Sequence, residues 1–202
     1  MQTTKEEGKS PVWKRLLFSE NLAGKGKSQK IAYIAVMTAF TVVANMFFEF
    51  KLAETQFSLT LAVSALTGLL IGPLFGFAAC FLGDLVGFLY NSAGFAYLPW
   101  IGISMGITAA SFGLIVSGIK SNKSWFLYVK IAVACVFTFA VCTVAINTTA
   151  FWLLYSKVDY RTYLISRLFV QGQIWNSLVN YALVFLVVPT LGRVKALHIR
   201  IR

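Results

Sequence analysis

The stretch from Gly72 to Trp100 constrains this chain most: an apolar run whose glycines recur at helical spacing and which holds a lone carboxylate, Asp84. Gly72 and Gly76, then Gly83 and Gly87, form two G-x-x-x-G pairs close to one face with Ala79 between them, and Gly102 and Gly106 repeat the spacing beyond an aromatic loop. Small residues four apart let membrane helices approach backbone to backbone. An ionised side chain in such a run is expensive at membrane depth and turns toward a bundle interior or a watery cavity. Asp84 is therefore either a site residue or a structural carboxylate bonded to a neighbouring helix.

The rest of the chain has the same character. Of its 202 residues, 58% are hydrophobic and 12% charged, and its mean hydropathy is +0.74, far too apolar for a soluble domain. Apolar segments run over roughly 31–50, 57–72, 73–91, 99–119, 126–155 and 163–190. The reading is an all-α membrane protein of six transmembrane helices, with a basic N-terminal segment (1–30), a membrane domain (31–192) and a basic tail (193–202). Within the first segment, Val12, Trp13, Leu16, Leu17 and Phe18 form an apolar cluster suited to the membrane surface.

Charge sets the orientation. Seven Lys and Arg lie before residue 31, three (Lys120, Lys123, Lys130) connect the fourth and fifth segments, and four (Arg193, Lys195, Arg200, Arg202) lie in the tail; all fall on one side of a six-span arrangement. Lys51, Lys157, Arg161 and Arg167 are accompanied by Glu49, Glu54, Asp84 and Asp159, so the other side is about neutral. By the positive-inside rule both termini are cytoplasmic. The same segregation argues against nucleic acid as the partner of a chain with net charge +11; the lipid bilayer accounts for it.

No catalytic or cofactor chemistry emerges. Cys80, Cys135 and Cys142 lie in apolar runs with no C-x-x-C spacing and no nearby His, so neither a metal site nor a disulfide framework is expected, and they read as packing residues. Gly26-Lys27-Ser28 resembles the end of a phosphate loop, but Asn21 stands where its first Gly belongs and no strand precedes it. Site candidates gather instead at the neutral end. Tyr97 lies in an aromatic connection with Tyr90, Phe95 and Trp100; Asn147, Thr148, Phe151, Trp152 and Tyr155 share less than half of a helix circumference at 100° per residue; Arg167, Gln171 and Trp175 lie along one side of the last segment, with Asn176 and Asn180 on the other. Aromatic faces with polar edges suit either a heterocyclic ligand or an interfacial belt. Arg167 is suited either to an anionic group or to snorkelling outward.

Three stretches carry a family resemblance: Ala35-x-x-x-Ala39; the run FSLTLAVSALTGLLIGPLFGFAACFLGDLVGFL from Phe57 to Leu89; and Asn147-Thr148 followed by Trp152, Tyr155 and Y-L-x-x-R from Tyr163 to Arg167. Over about residues 30–190 the chain resembles the substrate-binding S components of energy-coupling factor (ECF) vitamin importers, and within them the folate family. The resemblance implies a non-enzymatic subunit of the bacterial plasma membrane that binds a vitamin, folate first, and works with a transmembrane coupling subunit and two ATPases. Pantothenate or a queuosine precursor is the alternative ligand, and a stand-alone secondary transporter the alternative class. The expected substrate contacts are Asp84, Tyr97, Asn147, Trp152, Tyr155, Arg167 and Gln171; the expected coupling strip is Ala35 and Ala39, with no metal and no cofactor.

The topology is testable by labelling single cysteines in intact cells. A cysteine at Asn122 should be inaccessible from outside and one in the loop Asn91 to Pro99 accessible; exclusive outside labelling at 122 overturns the arrangement.

Overall fold

The computed structural model describes residues 17–52, 55–90, 97–117 and 124–191. They fold as a helical bundle with one short hairpin. A single turn, α1 (Glu20–Ala23), precedes α2 (Lys27–Phe47); β1 (Glu49–Leu52) and β2 (Thr55–Ser58) lead into α3 (Thr60–Ile71) and α4 (Pro73–Tyr90). Helix α5 (Pro99–Phe112) runs on as a π-helical turn over Gly113–Ser117. Helix α6 (Ser124–Thr138) passes through a ten-residue π-helix, Phe139–Thr148, into α7 (Thr149–Tyr155). Helix α8 (Tyr160–Ile165) likewise ends in π-helix over Ser166–Val170, and α9 (Gln173–Leu191) closes the described chain.

Among the described residues, five stretches are long and apolar enough to cross a bilayer: Lys27–Phe47, Pro73–Tyr90, Pro99–Ser117, Trp125–Tyr155 and Gln173–Leu191. The expected second span is present as α3, but its 12 residues rise only about 18 Å, short of the roughly 30 Å hydrocarbon core. The expected last span, 163–190, is two helices rather than one, because the chain turns at Gly172 with φ 71°. The expected charged connection Glu49–Gln56 is largely an antiparallel hairpin, with Phe50 opposite Phe57 and Lys51 opposite Gln56. This is the one departure from an all-α fold among the described residues. The basic tail and the connections 91–96 and 118–123 lie outside the described residues.

The glycines act as expected of small residues, though not on one face. A Cβ on Gly68 would overlap the carbonyl of Ala109, so α3 and α5 touch through their backbones. A Cβ on Gly76 would meet Gly68 at 2.8 Å, whereas one on Gly83 would strike Thr41 and one on Gly87 would meet Asn45 at 2.6 Å. The second pair therefore fits α4 against α2, where Thr41 Oγ1 donates to Ala79 O at 3.0 Å. Gly72 is not helical: at φ 107° it breaks the chain between α3 and α4. The central core is built by Ala62, Ala65, Leu69, Phe112, Val116, Ile131, Ala134, Val184 and Val188. Cys80, Cys135 and Cys142 are free and buried as packing residues.

Both ends of α3 are completed by remote residues, as helix ends excluded from water require. At its start, fully buried Asn180 accepts from Ala62 N–H at 2.9 Å and donates to Ser58 O at 2.6 Å, while Asn176 Oδ1 accepts from Ser58 N–H at 3.0 Å. At its end, Ser19 donates through its amide to Ile71 O at 3.3 Å and through its hydroxyl to Leu70 O at 2.6 Å. The segment before the first span is thus part of the bundle: Leu22 is buried and Phe18 stacks on Phe75 with ring centroids 4.9 Å apart. This corrects the surface-lying expectation for Phe18; Val12, Trp13 and Leu16 lie outside the described residues. Lys130 is likewise not a loop charge. It is 3% exposed within α6 and its Nζ donates at 3.0 Å to Val116 O, a carbonyl in the last turn of the α5 helix.

Asn180→Ala removes a donor and an acceptor at once, leaving Ala62 N–H and Ser58 C=O buried without it. The expected loss is roughly 2–4 kcal/mol, read as a lowered unfolding midpoint in detergent, against a smaller loss for Asn176→Ala. Equal midpoints for wild type and Asn180→Ala would remove the capping role.

Candidate functional site

Among the described residues, three buried side-chain polar atoms have no hydrogen-bond partner: Trp100 Nε1, Asn147 Oδ1 and Arg167 Nε. Buried polar groups are nearly always paired, so three such atoms on elements that pack together mark a place built to meet something else. Trp100 follows Pro99 at the start of α5, where the missing proline N–H is no loss. Trp100, Ser104 and Thr108 recur every four residues on one face, and the Thr108 hydroxyl donates to Cys142 Sγ at 3.4 Å, turning that face toward the 139–148 segment. In that segment bonds run i to i+5, so residues five apart lie on one side, and Asn147 follows Cys142 by five. Phe151 comes four residues after Asn147, and the Arg167 guanidinium lies over its ring at 4.2 Å. Arg167 is 8% exposed, so its side chain is enclosed by the protein and does not extend outward. A cation over an aromatic face is stabilised, more so when desolvated.

Asp84, on α4, lies against the Gly102 side of α5. Its Oδ2 accepts from the Tyr97 hydroxyl at 3.0 Å, and Tyr97 also packs on Phe88 at 5.2 Å between ring centroids. The pair is pressed against α5: a Cβ on Gly102 would lie 2.9 Å from Tyr97 Oη and 3.0 Å from Asp84 Oδ2. Burial, and then the adjacent carboxylate, push the Tyr97 phenol above its ordinary value, so it remains a donor at physiological pH. No group of three His, Cys, Asp or Glu that could hold a metal exists among the described residues.

The described residues thus form a bundle of apolar helices with a cluster of buried polar and aromatic side chains, and comparison with known proteins gives the chain a family. The sequence model of the ECF-type riboflavin transporter S component matches residues 25–197. The chain belongs to this family. It is a transporter subunit and not an enzyme. Its fold is similar to the structure described as "Crystal structure of FolT bound with folic acid", with TM-score 0.62, 20% identity, and coverage of 79% of this chain and 92% of that one. It is also similar to "Structure and mechanism of the S component of a bacterial ECF transporter", with TM-score 0.60, 17% identity, and coverage of 83% and 98%. No curated protein matches the chain.

In this S component the other expected contacts are placed unevenly. Trp152 Nε1 donates to Val158 O at 2.9 Å and its ring meets Tyr160 edge-on, so it braces the turn between α7 and α8. Tyr155 is 57% exposed and leans on Phe151. Thr148 is fully buried, its hydroxyl donating to Thr143 O at 2.7 Å. The residues of the expected 147–155 face thus take separate tasks, although Thr149–Tyr155 is regular α-helix. Gln171 lies at the break before Gly172, its amide donating to Ser166 O at 2.9 Å. That break takes Trp175 off the line of Arg167; Trp175 is 59% exposed. Ala32, Ala35 and Ala39 are exposed on the outer side of α2, not packed inside the bundle. Trp100 and Phe151 complete the cluster. Phe151 was legible from its spacing to Asn147, whereas the signal for Trp100 was the stripe it forms with Ser104 and Thr108.

Proposed function

We propose that this S component binds folate at the Trp100–Asn147–Arg167 end, that this end faces outside with both termini in the cytoplasm, and that six membrane segments, α3 being the short one, enclose the site. A transmembrane coupling subunit with two ATPases drives uptake. Arg167 carries the substrate assignment: it is a buried guanidinium that forms no ion pair with any described residue, and a charge held that way calls for an anionic partner. Folate brings carboxylates on its glutamate arm and a flat pterin ring suited to an aromatic cluster. Riboflavin is the second reading, favoured by the family match over residues 25–197; it has a flat ring but no anion.

Mass spectrometry of small molecules that co-purify with the detergent-solubilised protein identifies the ligand. Folate is the expected result, and a lipid product with no vitamin-like compound would defeat the proposal. Arg167→Ala should weaken folate binding about ten- to a hundred-fold, the effect of losing roughly 1.5–3 kcal/mol of charge-assisted hydrogen bonding. Unchanged affinity in a folded variant would remove Arg167 from the site.

The exposed strip Ala32, Ala35 and Ala39 supports a helix–helix contact with the coupling subunit, since small residues on one face admit close approach. Ala35→Trp or Ala39→Trp should block complex assembly and uptake while ligand binding by the isolated S component stays intact. Loss of binding along with uptake would mean that the strip serves the protein's own fold.

A further inference from the structure

The three unpartnered atoms differ in polarity, and the difference specifies what they meet. Trp100 Nε1 carries a hydrogen and can only donate; Arg167 Nε likewise only donates; Asn147 Oδ1 can only accept. Trp100 and Asn147 belong to packed elements, on the faces that Thr108 and Cys142 bring together. One offers a donor and the other an acceptor. A lactam edge, in which a ring carbonyl adjoins a ring N–H, answers both.

We infer that Trp100 is a specificity-determining residue of this S component: its indole N–H donates to the carbonyl of a lactam-bearing heterocycle whose N–H is taken by Asn147 Oδ1. The inference rests on the vitamin-binding reading above and adds to it a division of labour. Trp100 and Asn147 read the ring edge, which pterins and flavins share, and Arg167 reads the substituent, in which they differ. A ligand lacking the lactam gains nothing from the indole N–H. A site that donates to a substrate group leaves that donor buried and unpaired when the group is missing, which is how such sites discriminate.

The test uses the full-length protein in detergent with three probes: folate, riboflavin and p-aminobenzoylglutamate, which keeps the anionic arm without the lactam. Trp100→Phe keeps an aromatic ring and removes the N–H. It should weaken binding of whichever vitamin the wild type takes by roughly ten-fold or more, while p-aminobenzoylglutamate binds both proteins equally. In ¹⁵N-tryptophan-labelled wild type, assigned by replacing Trp13, Trp125, Trp152 and Trp175 in turn, the Trp100 indole resonance should shift downfield and lose solvent exchange when the vitamin binds. That measurement decides the matter if Trp100→Phe does not fold. A wild type that binds a vitamin with an unmoved indole resonance, or a folded Trp100→Phe of equal affinity, overturns the role of Trp100 and leaves the binding function standing. A wild type that binds neither vitamin overturns the functional reading and this inference with it.

Discussion

The structure depends on satisfying backbone polar groups where water is scarce. A helix completes its own hydrogen bonds except at its ends, and α3, at 12 residues, is too short to carry both ends out to the membrane surfaces. Each end is therefore met by a distant part of the chain, Asn180 and Asn176 at one and Ser19 at the other. Those bonds tie the segment before the first span, the hairpin and the last helix to one short central helix. Lys130 repeats the device where α5 finishes, its ammonium taking the Val116 carbonyl.

With the bundle closed this way, the site follows from helix phase. A continuous α-helix from Trp125 to Tyr155 would turn Asn147 well away from the side on which Cys142 meets Thr108. The π-helical stretch restores the alignment, bringing Asn147 to the α5 side and Phe151 beneath Arg167. Short π-helical insertions tend to occur at functional sites for this reason: they re-aim side chains without ending the helix. The Asp84–Tyr97 pair then fixes the start of α5 against α4, with Gly102 leaving the room, and so holds the element from which Trp100 projects.

The family assignment and the geometry divide the molecule sensibly. The cluster of unpartnered polar atoms and aromatic rings draws on the start of α5, the end of the 139–148 segment and the end of α8, while the alanine strip lies on the outside of α2. The buried polar cluster and the exposed alanine strip thus lie on different elements of the subunit.

Much of this was legible in the sequence because it depends on properties that residues carry with them. Hydropathy and the segregation of basic residues establish a membrane protein with apolar segments near the observed helices. A polar residue inside an apolar run is costly unless it turns inward or snorkels out, and that singles out Asp84, Asn147 and Arg167 as candidates. The glycine spacing announced close helix packing. Tertiary structure decided what depends on backbone conformation and on partners distant in the chain. Whether Gly72 and Gly172 continue a helix or break it turns on φ angles of 107° and 71° that only the folded surroundings select. The π-helical phase of the 139–148 segment decided that Asn147 lies on the side of Cys142. Ser19 and Asn180 read as ordinary polar residues until the helix ends they cap are placed beside them. Trp100 read as one aromatic among several, because an indole N–H left without a partner is a property of its neighbours and not of tryptophan.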